Sequence, residues 1–308
     1  MGLFKRTKKK DENIAVTETV QENAVAKVQE EVGETEEEKA AKEQAAKEQE
    51  DLMRQANPML STVANEGRRF TLLVEDAKQL EDEKGIQVAG ILYGKIQLGD
   101  LVYFILPNNM IMYSRIDGIE IGPDQTSNTA ENQRVVLLFE DIKDINCVPK
   151  YTVLTSIHPQ DRAEESSAVE NPQLLGLSRD YHRLVKDPNY FNVFIYVLCH
   201  AYFLVPVKTN AESGDAQVQF PALRDPVDKN KSIFPVFTDW YAVAGWQQLF
   251  EGGKPPKAVI LKFPDVVNVC KGSGVMLNPF GPTAVMLQDK LIEEIINLDG
   301  YKLEFENH

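Results

Sequence analysis

Residues 68–157 carry the feature that most limits the fold, since apolar and polar residues alternate there in short runs with no helical segment between them. The six runs are "RRFTLLVEDA", "GIQVAGILYGKIQ", "DLVYFILP", "MIMYSRIDGIEIG", "NQRVVLLFEDI" and "KYTVLTS", separated by Gly, Asp, Asn or Pro turns. Alternation with period two turns one face of each strand toward a core. Evenly spaced strands of this kind favour closure of the sheet. We therefore predict an all-β barrel over residues 67–157.

A turn inside this region, Gly99-Asp100, separates two of the β-rich runs and predicts a hairpin. The preceding segment from Gly90 to Ile96 does not have the spacing of a phosphate loop. Three residues, not four, separate Gly90 from Gly94-Lys95, and Ile96 stands where Ser or Thr would hold magnesium. We expect no nucleotide site in this segment.

The first 66 residues form an extension of different composition, with almost no aromatic residue after Phe4. Such a segment cannot bury a core. Residues 11–66 carry 5 basic and 15 acidic residues, and "EEEKAAKEQAAKEQEDLMRQ" favours a helix up to Asn57-Pro58. We predict a charged, low-complexity extension that is disordered or partly helical.

The basic start of the chain has two interpretations, a weak, reversible contact with an anionic membrane surface or a plain solubilising tail. Near such a surface each cation contributes about 1 kcal/mol. A secretory signal would instead need its charges before an apolar core. Three cysteines, an odd number with no Cys-x-x-Cys pair, fit a reducing compartment. We expect a cytoplasmic protein, peripheral at the inner face of the membrane if the contact forms, with these contact residues: Leu3, Phe4, Lys5, Arg6, Lys8, Lys9 and Lys10.

The second half of the chain predicts a separate folded domain. A polar stretch marks residues 158–186 as a linker, and residues 187–295 mix helical and strand patterns in an α+β order. Asp187 and Pro188 are typical of a helix start, and Thr238 or Asp239 caps a second helix. Residues 296–308 are predicted to be a C-terminal tail.

The β-rich region, about residues 68–157, resembles domain 2 of the elongation factor Tu family. The residues that carry the resemblance are Phe70, Gly85, "GILYGKIQLGDLVYFI", "RIDGIEI", "RVVLLFEDI" and the later "DIN", in that order. The family's GTP-binding domain and its Asn-Lys-x-Asp motif have no counterpart in this sequence. The resemblance implies a stand-alone translation-factor-like barrel, with RNA or the ribosome as a contact.

The following region, about residues 190–294, resembles the N-terminal domain of the SseB family. Four segments carry this resemblance in register: "YFLVPV", "FPALRD", "SIFPVFTDWYAVAGW" and "GVMLNPF". It implies a small α+β domain of bacterial cytoplasmic proteins, with no established catalytic role. A fold resemblance of this kind does not supply chemistry.

Residues with catalytic chemistry do not form a recognisable site in the sequence. Cys199 and His200 are neighbours, but adjacent side chains at a helix end diverge, and the apolar run around them predicts core positions. The four histidines share no metal-ligand spacing with each other or with cysteine. We expect no catalytic residue, no metal and no cofactor.

A group of aromatic and turn residues is the candidate protein-binding site, consisting of Trp240, Tyr241, Trp246, Asn278 and Phe280. The two tryptophans are six positions apart, so on one helix they would lie nearly opposite, with one in the core and the other toward the rim. Large aromatic side chains at a rim are typical of binding surfaces. The alternative is that all five are core or turn residues.

These patterns together predict a non-enzymatic adaptor that binds unidentified proteins through its SseB-like domain and its β-barrel. A net charge of -14 opposes a broad nucleic-acid surface. The main alternative is a translation-associated factor whose barrel contacts RNA or the ribosome. An enzyme with an unrecognised site is the third hypothesis.

Overall fold

The computed structural model describes residues 69–81, 84–157, 169–209, 218–225, 231–246 and 256–305. All of them belong to one compact unit. A β-rich region, residues 70–155, comes first and a mixed α/β region follows, which confirms that order of fold classes. The membrane-contact residues predicted at 3–10 lie outside the described ranges.

Short strands make up the β-rich region, and the longest of them, β3, lies at its centre. On β3 buried residues alternate with more exposed ones, as the sequence pattern predicts. The strands are β1 Phe70–Leu73, β2 Asp76–Gln79, β3 Ile86–Gln97, β4 Leu101–Ile105, β5 Ile111–Arg115, β6 Gly118–Gly122, β7 Gln125–Thr126, β8 Thr129–Glu131, β9 Arg134–Phe139 and β10 Val153–Thr155.

Hydrogen bonds arrange these strands in the order β5-β4-β10-β1-β3-β9-β6-β7. Only Ile116 and Asp117 separate β5 from β6 in the chain. The Ile116 amide donates to Asp100 O beside β4 (3.1 Å), whereas the Asp117 amide donates to Leu138 O on β9 (2.9 Å). The chain therefore changes partners at this point, and it links β5, at one end of the strand order, to β6, which is next to the other end.

The hairpin predicted at Gly99-Asp100 is wrong, although the turn itself forms. Gly99 has a φ of 83°, and the Asp100 amide donates to Gln97 O at 3.1 Å. After the turn, β4 pairs with β5 and β10 and not with β3. A turn motif indicates a change of direction, but the partner of the next strand depends on distant segments.

The α/β region contains two small sheets and six helices within the described ranges. One sheet has the order β12-β11-β15, and the other has the order β13-β14-β16-β17 with β14 and β16 parallel. Its elements are α1 Pro172–Leu184, α2 Pro188–His200, β11 Tyr202–Thr209, β12 Val218–Gln219, β13 Leu223–Arg224, β14 Ser232–Val236, α3 Trp240–Ala244, β15 Lys257–Lys262, α4 Phe263–Val269, β16 Gly274–Leu277, β17 Val285–Leu287, α5 Asp289–Ile296 and α6 Asp299–Phe305.

The prediction of a linker over residues 158–186 is wrong at residues 172–184, where helix α1 forms. Its side chains Leu174 and Leu177 are fully buried in a cluster that also contains Leu73 and Val153 of the β-rich region. A Cβ atom on Gly176 would lie only 2.6 Å from a Val153 methyl carbon, so glycine lets α1 approach β10 closely. The two regions therefore share one core, which local polarity around residues 156–172 does not reveal.

A buried ionic cluster joins the regions a second time. At the start of β1, the Arg69 guanidinium donates to both carboxylate oxygens of Glu170, at 3.2 and 3.0 Å. It also lies 3.8 Å from the Asp239 carboxylate and 3.9 Å from the centre of the Tyr241 ring. Burial raises the pKa of Glu170 to about 7, and the charge of Asp239 adds to the rise while Arg69 opposes it.

The raised pKa of Glu170 predicts that the free energy of unfolding falls as the pH rises from 5 to 8. The folded state holds the Glu170 proton more tightly than the unfolded chain, whose carboxyl pKa is near 4.5. This contribution is therefore complete below pH 4.5 and is lost as the pH passes 7, with a size of about 3 kcal/mol at most. Urea unfolding at pH 5 and pH 8 measures the change, and Glu170→Gln should flatten it. Parallel pH profiles for the two proteins would contradict the assignment.

Candidate binding groove

Helix α2 forms one wall of a groove because two of its faces are apolar. The helix begins at Asp187, whose side chain accepts a hydrogen bond from the Asn189 amide at 3.0 Å, and Pro188 occupies its first turn. One face, with Tyr190, Phe194 and Leu198 at spacing i, i+4, i+8, is fully buried in the core.

A second stripe of α2 has the same spacing and borders the groove. It consists of Phe191, Ile195 and Cys199, and Tyr196 lies beside it with 41% of its surface exposed. Ile195 and Cys199 are buried in the same core cluster, so the open apolar surface of this face comes from Phe191 and Tyr196.

The opposite wall is the helix pair α5 and α6. Ile292 and Ile295 of α5 are buried, which leaves Leu291 at the groove. The chain turns at Leu298, which is 51% exposed, and α6 then adds aromatic side chains to the wall. This helix corrects the prediction of a C-terminal tail over residues 296–308.

Between these walls the groove has a volume of about 520 Å³. Most of its lining is apolar or aromatic, and the polar residues lie at the rim. The lining consists of Phe191, Asn192, Ile195, Tyr196, Cys199, His200, Leu291, Glu294, Ile295, Leu298, Asp299, Gly300, Tyr301, Glu304 and Phe305.

Carboxylates dominate the charge of the rim, which carries Glu294, Asp299 and Glu304. The His200 ring bridges the two walls, with Nε2 2.7 Å from the Glu304 carboxylate and Nδ1 2.7 Å from Tyr196 O. The His200 side chain is 25% exposed. His200 is therefore a half-buried rim residue and not the core residue predicted from the sequence.

The thiol of Cys199 is buried in the groove wall as predicted, and it is poorly suited to nucleophilic chemistry. Burial raises its pKa to about 12, and the charge of Glu304 adds to the rise. The reactive form of cysteine is the thiolate. Both nitrogens of His200 also have other partners, so Cys199-His200 is not an activated nucleophile and base pair.

The two tryptophans predicted at a binding surface both lie in the core, so the expectation that one leans toward the rim is wrong. Trp240 is 5% exposed and Trp246 is 8% exposed. Helix α3 ends at Ala244, so Trp246 does not continue its face. Instead its ring centroid lies 6.3 Å from Phe237 and 5.4 Å from Phe280.

The remaining predicted binding residues are mostly structural. Asn278 is buried with a φ of 45°, its Oδ1 accepts from the Thr238 amide at 2.9 Å, and its Nδ2 donates to Thr283 Oγ1 at 3.1 Å. Tyr241 is half-buried under Arg69. Phe280 alone of the five is exposed, at 59%.

Sequence reasoning missed the groove residues of α2 because the apolar run around Cys199 and His200 predicts core positions. The signal that could have found them is the second i, i+4, i+8 stripe of α2. Within the described ranges, no group of three His, Cys, Asp or Glu side chains is placed to hold a metal ion. None of the helices described there is long and apolar enough to cross a membrane.

Comparison with known families places one wall of the groove, and about half of its lining residues, in one recognised segment. Residues 179–294 match the family model of the SseB protein N-terminal domain, which confirms the resemblance predicted for residues 190–294. The match includes α2 and most of α5, and α6 lies beyond it. No curated protein matches the chain. The likeness of the β-rich region to elongation factor Tu domain 2 stays a prediction.

Proposed function

We propose that the protein is a non-enzymatic adaptor of the bacterial cytoplasm and that the groove between α2 and α5–α6 binds a partner protein. The observation that carries this proposal is the apolar groove itself, with Tyr196 and Leu298 open to solvent. Concave apolar surfaces with exposed aromatic side chains are typical binding sites. The neutral thiol of Cys199 supports binding over catalysis.

The β-rich region serves in this proposal as a translation-factor-like barrel that supports the groove. The two-residue connection between β5, at one end of the strand order, and β6, next to the other end, supports a closed barrel. Helix α1 packs on this region and α2 packs on α1, where the Tyr190 hydroxyl donates to Leu177 O at 2.6 Å. Helix α2, one wall of the groove, is thus anchored to the β-rich region through α1.

Removing exposed groove side chains should abolish partner binding without unfolding the protein. The double variant Tyr196→Ala/Leu298→Ala deletes apolar contacts at the groove mouth, where truncation costs about 1 kcal/mol or more per anchor residue. The measurement is affinity purification of tagged full-length protein from its native cytoplasm, with and without nuclease, followed by mass spectrometry. We expect the double variant to lose the proteins that the parent chain retains.

The matched control is Leu303→Ala, because Leu303 is 73% exposed on α6 but does not line the groove. It should retain the same set of proteins as the parent chain. Equal recovery of partners by all three proteins would refute the groove as the binding site.

One observation favours the alternative of a translation-associated factor. Tyr113 on β5 is 71% exposed and lies opposite Tyr103 on β4, with Arg115 two residues further along the same face. Exposed aromatic rings beside a cation can stack on RNA bases. The same purification distinguishes the two functions, since ribosomal proteins that vanish with nuclease would support this alternative.

A further inference from the structure

We infer that the groove takes a basic amphipathic helix of a partner protein. This inference rests on the proposed function, because it uses the groove as the binding surface, and it adds the chemistry and the secondary structure of the occupant.

The charge of the rim indicates a cationic occupant. Three carboxylates, those of Glu294, Asp299 and Glu304, border the groove, and no Lys or Arg is among the described residues that line it. Glu304 is already paired with His200 at 2.7 Å. Glu294 lies 3.9 Å from the Lys290 ammonium in an exposed pair, which a partner's cation can replace at little cost. Complementary charge at a rim directs the approach of a partner and excludes partners of the same sign.

The apolar lining indicates that the occupant also carries an apolar face. Ile195, Cys199 and Ile295 line the groove but are buried. The apolar side chains that reach solvent form two ridges, Phe191 and Tyr196 on α2 and Leu291 and Leu298 on the opposite wall. These ridges suit the side chains of an apposed helix that repeat at i, i+3, i+4 and i+7. A helix with cations beside such a face would contact the floor and the rim together.

The walls also select a helix over an extended peptide. An extended peptide gains most of its affinity from backbone hydrogen bonds to a free sheet edge. The groove walls are the helices α2, α5 and α6, whose interior amides and carbonyls are already paired within each helix. Side-chain packing is therefore the main interaction that the walls offer.

A synthetic peptide tests the inference on the full-length protein. The probe is a fluorescent amphipathic helix of about five turns, with leucine on one face and lysine elsewhere. A second peptide replaces every lysine by glutamate. Fluorescence anisotropy should show that the lysine peptide binds and that the glutamate peptide does not.

Variants of the rim separate a specific site from a general attraction by the net charge of -14. The double variant Glu294→Gln/Asp299→Asn should lower the affinity for the lysine peptide by about tenfold and reduce the salt dependence of that affinity. Glu293→Gln is the matched control, since Glu293 is exposed on the same helix but does not line the groove. It should change the affinity by less than about twofold, because its exposed charge does not border the groove and is screened by salt.

Equal loss in Glu293→Gln would overturn the inference, because the attraction would then belong to the whole surface. Equal binding of the two peptides would also overturn it while leaving the groove as a binding site. Failure of both peptides would overturn it as well, and the purification with Tyr196→Ala/Leu298→Ala would then decide the proposed function independently.

Discussion

Replacing Arg69 by alanine is expected to destabilise the folded protein by about 3–5 kcal/mol at pH 8. At that pH Glu170 is ionised, and Arg69 neutralises a carboxylate whose side chain is only 3% exposed. Without the guanidinium, two buried acids, Glu170 and Asp239, face each other with no cation between them. Urea unfolding of the full-length variant measures the loss of free energy.

The matched control for this prediction is Arg134→Ala. Arg134 also pairs with a carboxylate, that of Glu75, but its own side chain is 61% exposed. Exposed pairs of this kind contribute about 0–1 kcal/mol. If the two arginine variants lost similar amounts of stability, the buried cluster would not be what joins the regions.

Replacing Trp246 by alanine is expected to cost about 3–5 kcal/mol of stability, the usual range for a buried tryptophan. Its ring packs on Phe237, which is fully buried, and deletion would leave a cavity in the cluster around Trp240 and Val243. Thermal and urea unfolding would both report the loss.

Phe280→Ala is the control for that prediction, because Phe280 contacts the same tryptophan from the solvent side. It should cost less than about 1 kcal/mol, as surface substitutions generally do. A Trp246 variant that unfolds like the parent chain but loses its partner would restore the original interpretation of Trp246 as a binding residue.

Features that depend on local chemistry could be predicted from the sequence. Asp187 caps α2 as its position before Pro188 indicates, and Asp239 caps α3 by accepting from the Ala242 amide at 2.8 Å. The alternation of β3 likewise follows from its own residues. In these cases the physical cause lies within a few residues of the feature.

Features that depend on distant partners could not be predicted in this way. Helix α1 was not predicted because the stretch before it is polar. Its buried face packs against Val153 and Leu73, which lie far away in the chain. One of Trp240 and Trp246 was expected near the surface because the end of α3 at Ala244 could not be predicted from the pattern. The groove was not predicted because an apolar residue in the sequence does not indicate whether another part of the same chain covers it.

The core shared between β10 and α1 limits how this protein can be divided. A cut between residues 157 and 169 would expose Val153 on one piece and Leu174 and Leu177 on the other, all of them fully buried in the intact chain. Each piece would expose an aggregation-prone apolar surface to solvent. The two regions therefore evolve as one unit. Recombination that exchanged one region for an unrelated domain would also have to replace the surface of the other region that contacts it.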